Sequence, residues 1–380
     1  MDMTGFGSVV PRSDGAFSRR VAEFLAHNDD LLSTPSWTSG EAPVAETLRR
    51  LGDAGLLKAA ATDSSDGAVP GCFRSAQLHE ALASSACGAA GAAVLTHLEV
   101  GARLIAGKGG ITESILEGMH AGKETVALAV TEPGGGSDLT AMSTRLGESG
   151  ICGEKFMVTN LPVADWIIVL AVDTEHRTGK RSGPALLLVD AADPGVTVST
   201  LETRSNAGFM GAVTLQDASV AAVLAPAGLG LLTLVRHLLH ERVMLSVRLS
   251  ALAARALRQA VAETSSRHRF GDTLIKNQHL HYRLAEEWAR LQSTRALVRY
   301  GLRQLARRSC TPSLAAMCKL HAAETARAVT ETGVRFAGAT GYRLSHPAPR
   351  LLADAIGLSL AGGADEVLLE HIDPKGSLAL

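Results

Sequence analysis

The sequence predicts an α+β multi-domain fold: an N-terminal helical domain, a middle antiparallel β-barrel or sandwich domain, and a C-terminal four-helix bundle. Residues 14–120 carry apolar side chains at helical spacing. Short β-rich runs separated by turn residues occupy residues 124–224. From Leu231 onward, apolar residues recur three and four positions apart over long segments. The expected domains are residues 1–123, 124–227 and 228–380.

The elements follow from local patterns taken in chain order. Phe17, Val21 and Phe24 predict a first helix, and the Ala- and Leu-rich residues 75–106 predict closely packed buried helices. The predicted strands are residues 125–130, 156–159, 166–172, 185–189, 196–200 and 212–215. The predicted C-terminal helices are Leu231–Arg267, Ile275–Arg307, Pro312–Gly333 and Arg350–Ile372.

The composition of the chain argues against several classes of binding partner and site. The chain has 380 residues, 46% of them hydrophobic, which is enough for a large core of two or three subdomains. A net charge of -1 and 4% aromatic residues argue against a nucleic-acid partner or a membrane surface. Five scattered cysteines without a CxxC pair indicate neither a zinc site nor a disulfide framework, and no signal peptide is evident, so we expect a cytoplasmic protein.

The loop Thr131–Asp138 is the first candidate site. It follows the apolar run 125–130 and contains Pro133 and three consecutive glycines. Glycines allow a ligand to approach the backbone closely, and free N–H groups there hold anionic oxygens. On glycine content alone, an ordinary turn between strands is the simpler interpretation.

The residue patterns of four segments favour a ligand site over an ordinary turn. The loop reads T-E-P-G-G-G-S-D and is followed by Gly153–Asn160, Arg267–Gly271 and Gly338–Tyr342. Together they resemble the motifs of the acyl-CoA dehydrogenase superfamily, whose members are FAD enzymes that desaturate acyl thioesters. The resemblance covers most of the chain and implies the same three-part architecture.

The resemblance also implies roles for individual residues of the β domain. Val130 and Thr131 would contact the flavin ring, and Ser137 would contact the FAD pyrophosphate or the substrate. Thr159 matches the threonine that bonds the flavin N5 region. Met157 stands where the family usually has an aromatic residue that packs on the flavin, and methionine is able to fill such a gap.

A second group of implied FAD contacts lies in the C-terminal region. Arg267 would meet the FAD pyrophosphate across a subunit interface, with Phe270 and Gln278 nearby, and arginine suits a phosphate partner. The alternative for Arg267 is a surface arginine at a helix end. Gly338 begins the segment that binds the neighbouring subunit's FAD, and Arg335 replaces the usual glutamine there.

The catalytic base is where the sequence departs from the family pattern. Gly362 occupies the position at which many members carry the glutamate that removes the α-proton. The isovaleryl-CoA and long-chain type instead places its base in an L-E-R context on the long helix, where this chain has His240-Glu241-Arg242. Glu241 falls in an apolar stripe with Leu234 and Leu245, so we expect burial to raise its pKa.

The competing interpretation of Glu241 is a structural ion pair with Arg242 or Arg248. If Glu241 is the base, Arg242 would sit beside the thioester or acyl pocket. Gly362 would contribute a backbone N–H to the substrate carbonyl, as the family implies.

The resulting hypothesis is FAD-dependent α,β-dehydrogenation of an acyl thioester by a homodimer or homotetramer. The thioester would be acyl-CoA or acyl-carrier-protein, and divergence from the motifs favours a biosynthetic role with a carrier protein. Electrons would pass to an electron-transfer flavoprotein or to oxygen. Two alternatives remain: a flavin-dependent monooxygenase on the same fold, and a non-catalytic FAD-binding or interaction subunit.

Overall fold

The architecture follows the predicted order of helices, a sheet and helices. The computed structural model describes residues 8–10, 14–32, 43–63, 69–85, 88–139, 141–203, 210–269, 271–343 and 345–373. Within these residues, helices precede Val126, strands extend to Ala225, and long helices begin at Gly230. The predicted α+β class is thereby confirmed.

The first helices form one hydrophobic core around Leu48, Leu56 and Leu78. Asp14 caps the first of them by accepting a hydrogen bond from the Phe17 N–H at 2.9 Å. A π-helix at Leu95–Ala102 interrupts the later part of this region. The helices are α1 (Gly15–His27), α2 (Asp29–Leu32), α3 (Val44–Asp53), α4 (Leu56–Ala61), α5 (Gly71–Ser84), α6 (Gly88–Val94), α7 (Arg103–Ile105) and α8 (Ile111–His120).

The middle of the chain forms one mixed sheet. Its strands are β1 (Val126–Ala129), β2 (Arg145–Leu146), β3 (Ile151–Thr159), β4 (Trp166–Asp173), β5 (Gly183–Asp190), β6 (Val196–Leu201), β7 (Met210–Ala218) and β8 (Ala222–Ala225). Their order is β6-β7-β3-β2-β4-β5-β8, with β1 also paired to β4. The sheet is open, because β6 and β8 end it without pairing to each other in the described strands.

The expectation of a purely antiparallel domain is wrong in one place. Both β1 and β2 pair with β4 in parallel, Ala129 opposite Val169 and Arg145 opposite Val172. The two short strands therefore lie end to end along β4. The chain between them must leave the sheet and return, and this excursion contains the glycine loop.

The C-terminal region is organised around one long helix. Helix α9 (Gly230–Ser266) spans 37 residues, or about 55 Å at 1.5 Å per residue. Helices α10 (Gln278–Ala306) and α11 (Pro312–Ala337) pack against α9, as does α5 from the N-terminal region. Between α9 and α10 lies a short hairpin of β9 (His268–Arg269) and β10 (Asp272–Thr273). None of the described helices combines the length and apolarity needed to cross a membrane.

The prediction of one continuous helix over Arg350–Ile372 is wrong. The structure has α12 (Pro347–Leu360) and α13 (Asp365–Ile372), separated by a short turn. Gly362 and Gly363 in this turn have φ angles of 67° and 108°, outside the range of a right-handed helix. The apolar spacing continues across the turn, which explains why periodicity alone missed the break.

Candidate active site

The base of the glycine loop is anchored by a buried lysine. Lys155, on β3, is fully buried, and its Nζ donates to the Val130 carbonyl and to Glu132 Oε1, both at 3.0 Å. The Phe156 N–H donates to the Thr131 carbonyl at 2.8 Å. These contacts bring Val130 and Thr131 alongside the strand that carries Met157 and Thr159.

Glu132 closes the other side of the loop. Its carboxylate accepts hydrogen bonds from the N–H and hydroxyl groups of Ser143 and Thr144, at 2.6 to 2.9 Å. Burial alone would raise the pKa of Glu132, but these hydrogen bonds hold it well below its usual value. The sequence motifs contain Lys155 and Glu132, yet sequence reasoning gave neither a role.

The tip of the loop is open. Gly134, Gly135 and Ser137 are exposed, and a Cβ atom added at either glycine would meet nothing within 4 Å. Beside the loop, Phe156 and Met157 are 36% and 44% exposed on the sheet. An anchored loop with an open tip beside exposed apolar side chains fits a flat aromatic ligand.

The end of β3 has a locally strained backbone. Met157 has a φ angle of 56°, uncommon for a residue with a side chain, and the pairing with β7 shifts register between Lys155 and Val158. Half-buried Thr159 follows, and Asn160 donates from Nδ2 to the Ala93 carbonyl at 3.0 Å. This hydrogen bond ties the end of the strand to α6.

Glu241 is buried three turns into α9. Its side chain is 9% exposed, and the helix buries Leu234 and Leu245 on the same face. Leu234 belongs to a hydrophobic cluster that Val130 and Leu238 pack against, so the glycine-loop strand lies near this face of α9. The burial that the apolar stripe predicts is present in the structure.

The Glu241 carboxylate is not engaged in an ion pair. In the described part of the chain, no cation lies within 4.0 Å of it, and Oε2 has no hydrogen-bond partner. Burial raises the pKa of Glu241 to about 7; Arg242 opposes this shift, Glu99 adds to it, and Lys319 opposes it. The contacts therefore favour the base interpretation over the structural ion pair.

Gly362 faces this carboxylate. A Cβ atom added at Gly362 would lie 3.9 Å from Glu241 Oε2, 3.5 Å from Leu245 and 3.6 Å from Arg242. Arg242 Nε also donates to the Gly362 carbonyl at 2.8 Å. A longer side chain at position 362 would compete with Glu241 for the same space. The space between the two residues therefore accommodates a base at Glu241 together with a glycine at position 362.

A second buried carboxylate lies next to Glu241 and was missed by sequence reasoning. Glu99, on the π-helix, is 2.6 Å from His240 Nε2, 3.2 Å from His79 Nε2 and 3.3 Å from Arg103 Nε. Burial would raise the pKa of Glu99, but these groups hold it well below its usual value. The available signal was a lone acidic residue between Leu98 and Val100.

Arg267 lies at the far end of α9, where it caps another helix. Its Nη1 donates to the Ala337 carbonyl at 2.8 Å and to the Phe336 carbonyl at 3.2 Å, at the end of α11. Gly338, with a φ angle of 61°, follows directly, and a Cβ atom added there would lie 3.5 Å from the Arg267 guanidinium. The structure thus brings Arg267 and Gly338 together.

The remaining predicted contacts share that end of the bundle or lie outside the description. Gln278, the first residue of α10, is exposed, and its Nε2 donates to Tyr282 Oη at 2.9 Å. Arg335 is exposed in the last turn of α11. Phe270 lies outside the described residues.

The two groups of predicted site residues are far apart within one chain. Glu241 lies within α9, and Arg267 directly follows the last residue of this helix. The two residues are 26 positions apart, which corresponds to about 39 Å along the helix axis. One small-molecule site cannot be built by both ends of α9 from the same chain.

The raised pKa of Glu241 leads to a prediction about stability. The buried acid contributes stability below its usual pKa of 4.5, and this contribution is lost as pH rises through about 7. Glu241→Gln removes the titration. We expect the variant to gain roughly 3 kcal/mol over the wild type between pH 5 and pH 8.5. Urea unfolding of both proteins across this range checks it; parallel curves would contradict the burial.

Comparison with known proteins identifies the family of the chain. Residues 127–218 match the family model described as acyl-CoA dehydrogenase, middle domain, and residues 228–375 match acyl-CoA dehydrogenase, C-terminal domain. The chain is similar to the acyl-[acyl-carrier-protein] dehydrogenase MbtN of Mycolicibacterium paratuberculosis, with 30% identity over 70% of each chain. It is similar to cyclohexane-1-carbonyl-CoA dehydrogenase of Geobacter metallireducens, with 27% identity over 68% of this chain and 69% of the other.

Solved structures share the whole fold. An acyl-CoA dehydrogenase from Geobacillus kaustophilus superposes with a TM-score of 0.86 at 22% identity, over 97% of this chain and all of the other. The matched family models and the curated relatives define an oxidoreductase that acts on acyl thioesters. The matched family models and relatives then give the narrower assignment: the chain belongs to the acyl-CoA dehydrogenase family.

Proposed function

We propose that the protein catalyses FAD-dependent α,β-dehydrogenation of an acyl thioester, with Glu241 as the base. The observation that carries this proposal is a buried carboxylate whose Oε2 has no partner in the described structure and faces Gly362. The α-proton passes to Glu241, and a hydride leaves the β-carbon, which yields an enoyl thioester. FAD, when bound, supplies the two-electron acceptor for that hydride.

The environment of Glu241 suits this task. A base with a pKa of about 7 is substantially ionised at neutral pH and still basic enough to accept a carbon-bound proton. A backbone N–H of the turn at Gly362 would polarise the thioester carbonyl and so acidify the α-proton. Arg242 lies beside the same space, where its cation favours the negative charge that develops on the substrate.

The residues present fit FAD at the glycine loop. Val130, Thr131 and Met157 would hold the ring against the sheet, and Thr159 would donate to it. Ser137, exposed at the open loop tip, would reach the pyrophosphate or the substrate. The open space above the loop glycines and the exposed apolar surface beside them support this fit.

A second copy of the chain would complete the cofactor site. Arg267 lies about 39 Å from Glu241 along α9, and Gln278, Arg335 and Gly338 are expected to act with it, so these residues would contact the FAD of a neighbouring subunit. This arrangement requires a homodimer or a homotetramer. Sedimentation of the purified protein measures the state directly, and a monomer with full flavin content would contradict it.

The substrate class is an acyl-CoA or acyl-carrier-protein thioester, since relatives named for both occur at similar identity. We favour a carrier-protein thioester and a biosynthetic role, in line with the similarity to MbtN. Electrons would leave for an electron-transfer flavoprotein or for oxygen, and the cytoplasm remains the predicted location.

Anaerobic mixing with thioesters tests the proposal. We expect the yellow protein to lose its flavin absorbance when it meets a suitable member of a panel of acyl-CoA and acyl-carrier-protein thioesters with short, branched and cyclic acyl groups. A protein that no thioester bleaches, but that consumes oxygen with reduced flavin, would indicate the monooxygenase alternative. A colourless protein that takes up no FAD would indicate an interaction subunit.

A further inference from the structure

The turn between α12 and α13 is held by cations from two other helices. Arg242, on α9, donates from Nε to the Gly362 carbonyl at 2.8 Å. Lys319, on α11, donates from Nζ to the Gly363 carbonyl at 2.7 Å and to the Ser359 carbonyl. Two successive carbonyls of the turn are therefore fixed by side chains far away in sequence.

All three N–H donors of Lys319 are directed at this turn and the residues that flank it. The side chain is fully buried, and besides the two carbonyls it lies 3.4 Å from Asp365 Oδ1, at the start of α13. An ammonium group has three N–H donors and is costly to bury unless they are used. Lys319 has no donor left for a substrate, so its contribution is to the shape of the turn.

Two amide groups of the same turn are free. In the described structure, the N–H groups of Gly362 and Ala364 donate to no protein acceptor. Carbonyl and N–H point in opposite directions across a trans peptide plane. Fixing the Gly363 carbonyl on Lys319 thus also fixes the direction of the Ala364 N–H. Free N–H groups at or next to residues of positive φ form a concavity suited to an oxyanion.

We propose that Lys319 is a positioning residue: it holds the Ser359 and Gly363 carbonyls so that the N–H groups of the turn stay aimed at the thioester oxygen, opposite Glu241. The inference rests on the proposed function. It adds a residue of α11 that touches neither the substrate nor the cofactor.

The lysine also acts on Glu241 through its charge. The charged groups that act on Glu241 are Arg242 from its own helix, Glu99 from the π-helix and Lys319 from α11. On α13, burial and the charge of Arg242 lower the pKa of His371. Removing the Lys319 cation should therefore raise the pKa of Glu241, whereas replacing it by another cation should not.

Lys319→Met in the FAD-bound protein tests the proposal. We expect the bleaching rate at saturating thioester to fall about 10²-fold, the loss typical of a misplaced oxyanion donor. The half-saturating thioester concentration should change less than about threefold, and the midpoint of the pH–rate profile should move to higher pH. Hydrogen exchange at the amides of residues 359–365, followed by mass spectrometry without substrate, should become faster.

Arg327→Met is the matched control. Arg327 contacts Asp365 at 2.7 Å but none of the turn's carbonyls, so its loss should leave the bleaching rate and the pH midpoint at wild-type values. Equal effects of both variants would overturn the proposal, as would a Lys319→Met protein with wild-type rate, midpoint and exchange.

Lys319→Arg provides the test if the methionine variant does not fold. It keeps the charge but changes the donor geometry. Exchange at residues 359–365 should rise and the rate should fall, while the pH midpoint stays; unchanged exchange and rate would overturn the proposal. A wild-type protein that no thioester bleaches would refute the proposed function instead, and the exchange measurement would still report on the turn.

Discussion

Glu241→Gln is expected to slow flavin bleaching by a thioester about 10²- to 10⁴-fold, the range that a general base contributes. Glutamine keeps the size and shape of the side chain but cannot accept the α-proton. No other carboxylate is available at the usual position, because Gly362 occupies it. Stopped-flow absorbance under anaerobic conditions, at saturating thioester, measures the rate.

The control for this variant is Glu113→Gln, an exposed glutamate on α8, which should bleach within about twofold of the wild type. The wild-type rate should also rise with pH through about 7, as Glu241 loses its proton. A Glu241→Gln protein that bleaches at the control rate would remove Glu241 from the mechanism.

Local patterns predicted the setting of the candidate site, whereas the resemblance to the family selected its residues. The match to the L-E-R context singled out Glu241, and its spacing from Leu234 and Leu245 predicted the burial that is the largest cause of its raised pKa. An apolar run ended by proline and glycines predicted a strand followed by a tight turn, and the match of the loop to the family motif marked it as a candidate site.

Contacts between distant helices were beyond such patterns. Glu99 and His240 are separated by 141 positions and meet only because the π-helix packs against α9. Lys319 appears in sequence as one lysine in an apolar helix, and its partners lie 40 and 44 positions away. Periodicity reports which face of a helix is buried, but not which residue of another helix lies opposite.

The two elements that were predicted wrongly also depend on features that periodicity does not encode. The apolar spacing of α12 continues into α13, so the break at Gly362 depends on backbone angles that hydrophobic periodicity does not encode. The parallel pairing of β1 with β4 depends on the chain's path through the loop. Both features bear directly on the site, since one presents the turn amides and the other projects the loop.

Lys155→Met should have the largest effect on stability. The substitution leaves the buried Glu132 carboxylate without its cation, and removing one partner of a buried ion pair typically costs about 3–5 kcal/mol. It also releases the Val130 carbonyl, so of the contacts described above only the hydrogen bond from the Phe156 N–H to the Thr131 carbonyl still joins the loop to β3. We expect a lower free energy of unfolding in urea and loss of FAD during gel filtration.

Part of the anchor of the glycine loop survives the substitution. Hydrogen bonds from Ser143 and Thr144 remain in the variant, so the Glu132 carboxylate would stay in position. Its negative charge would no longer be paired with the Lys155 cation. Lys180→Met, which removes an exposed lysine from the β4–β5 connection, is the matched control and should match the wild type in both measurements. If Lys155→Met loses less than about 1 kcal/mol and retains its flavin, the loop is held by its own fold rather than by the buried ion pair.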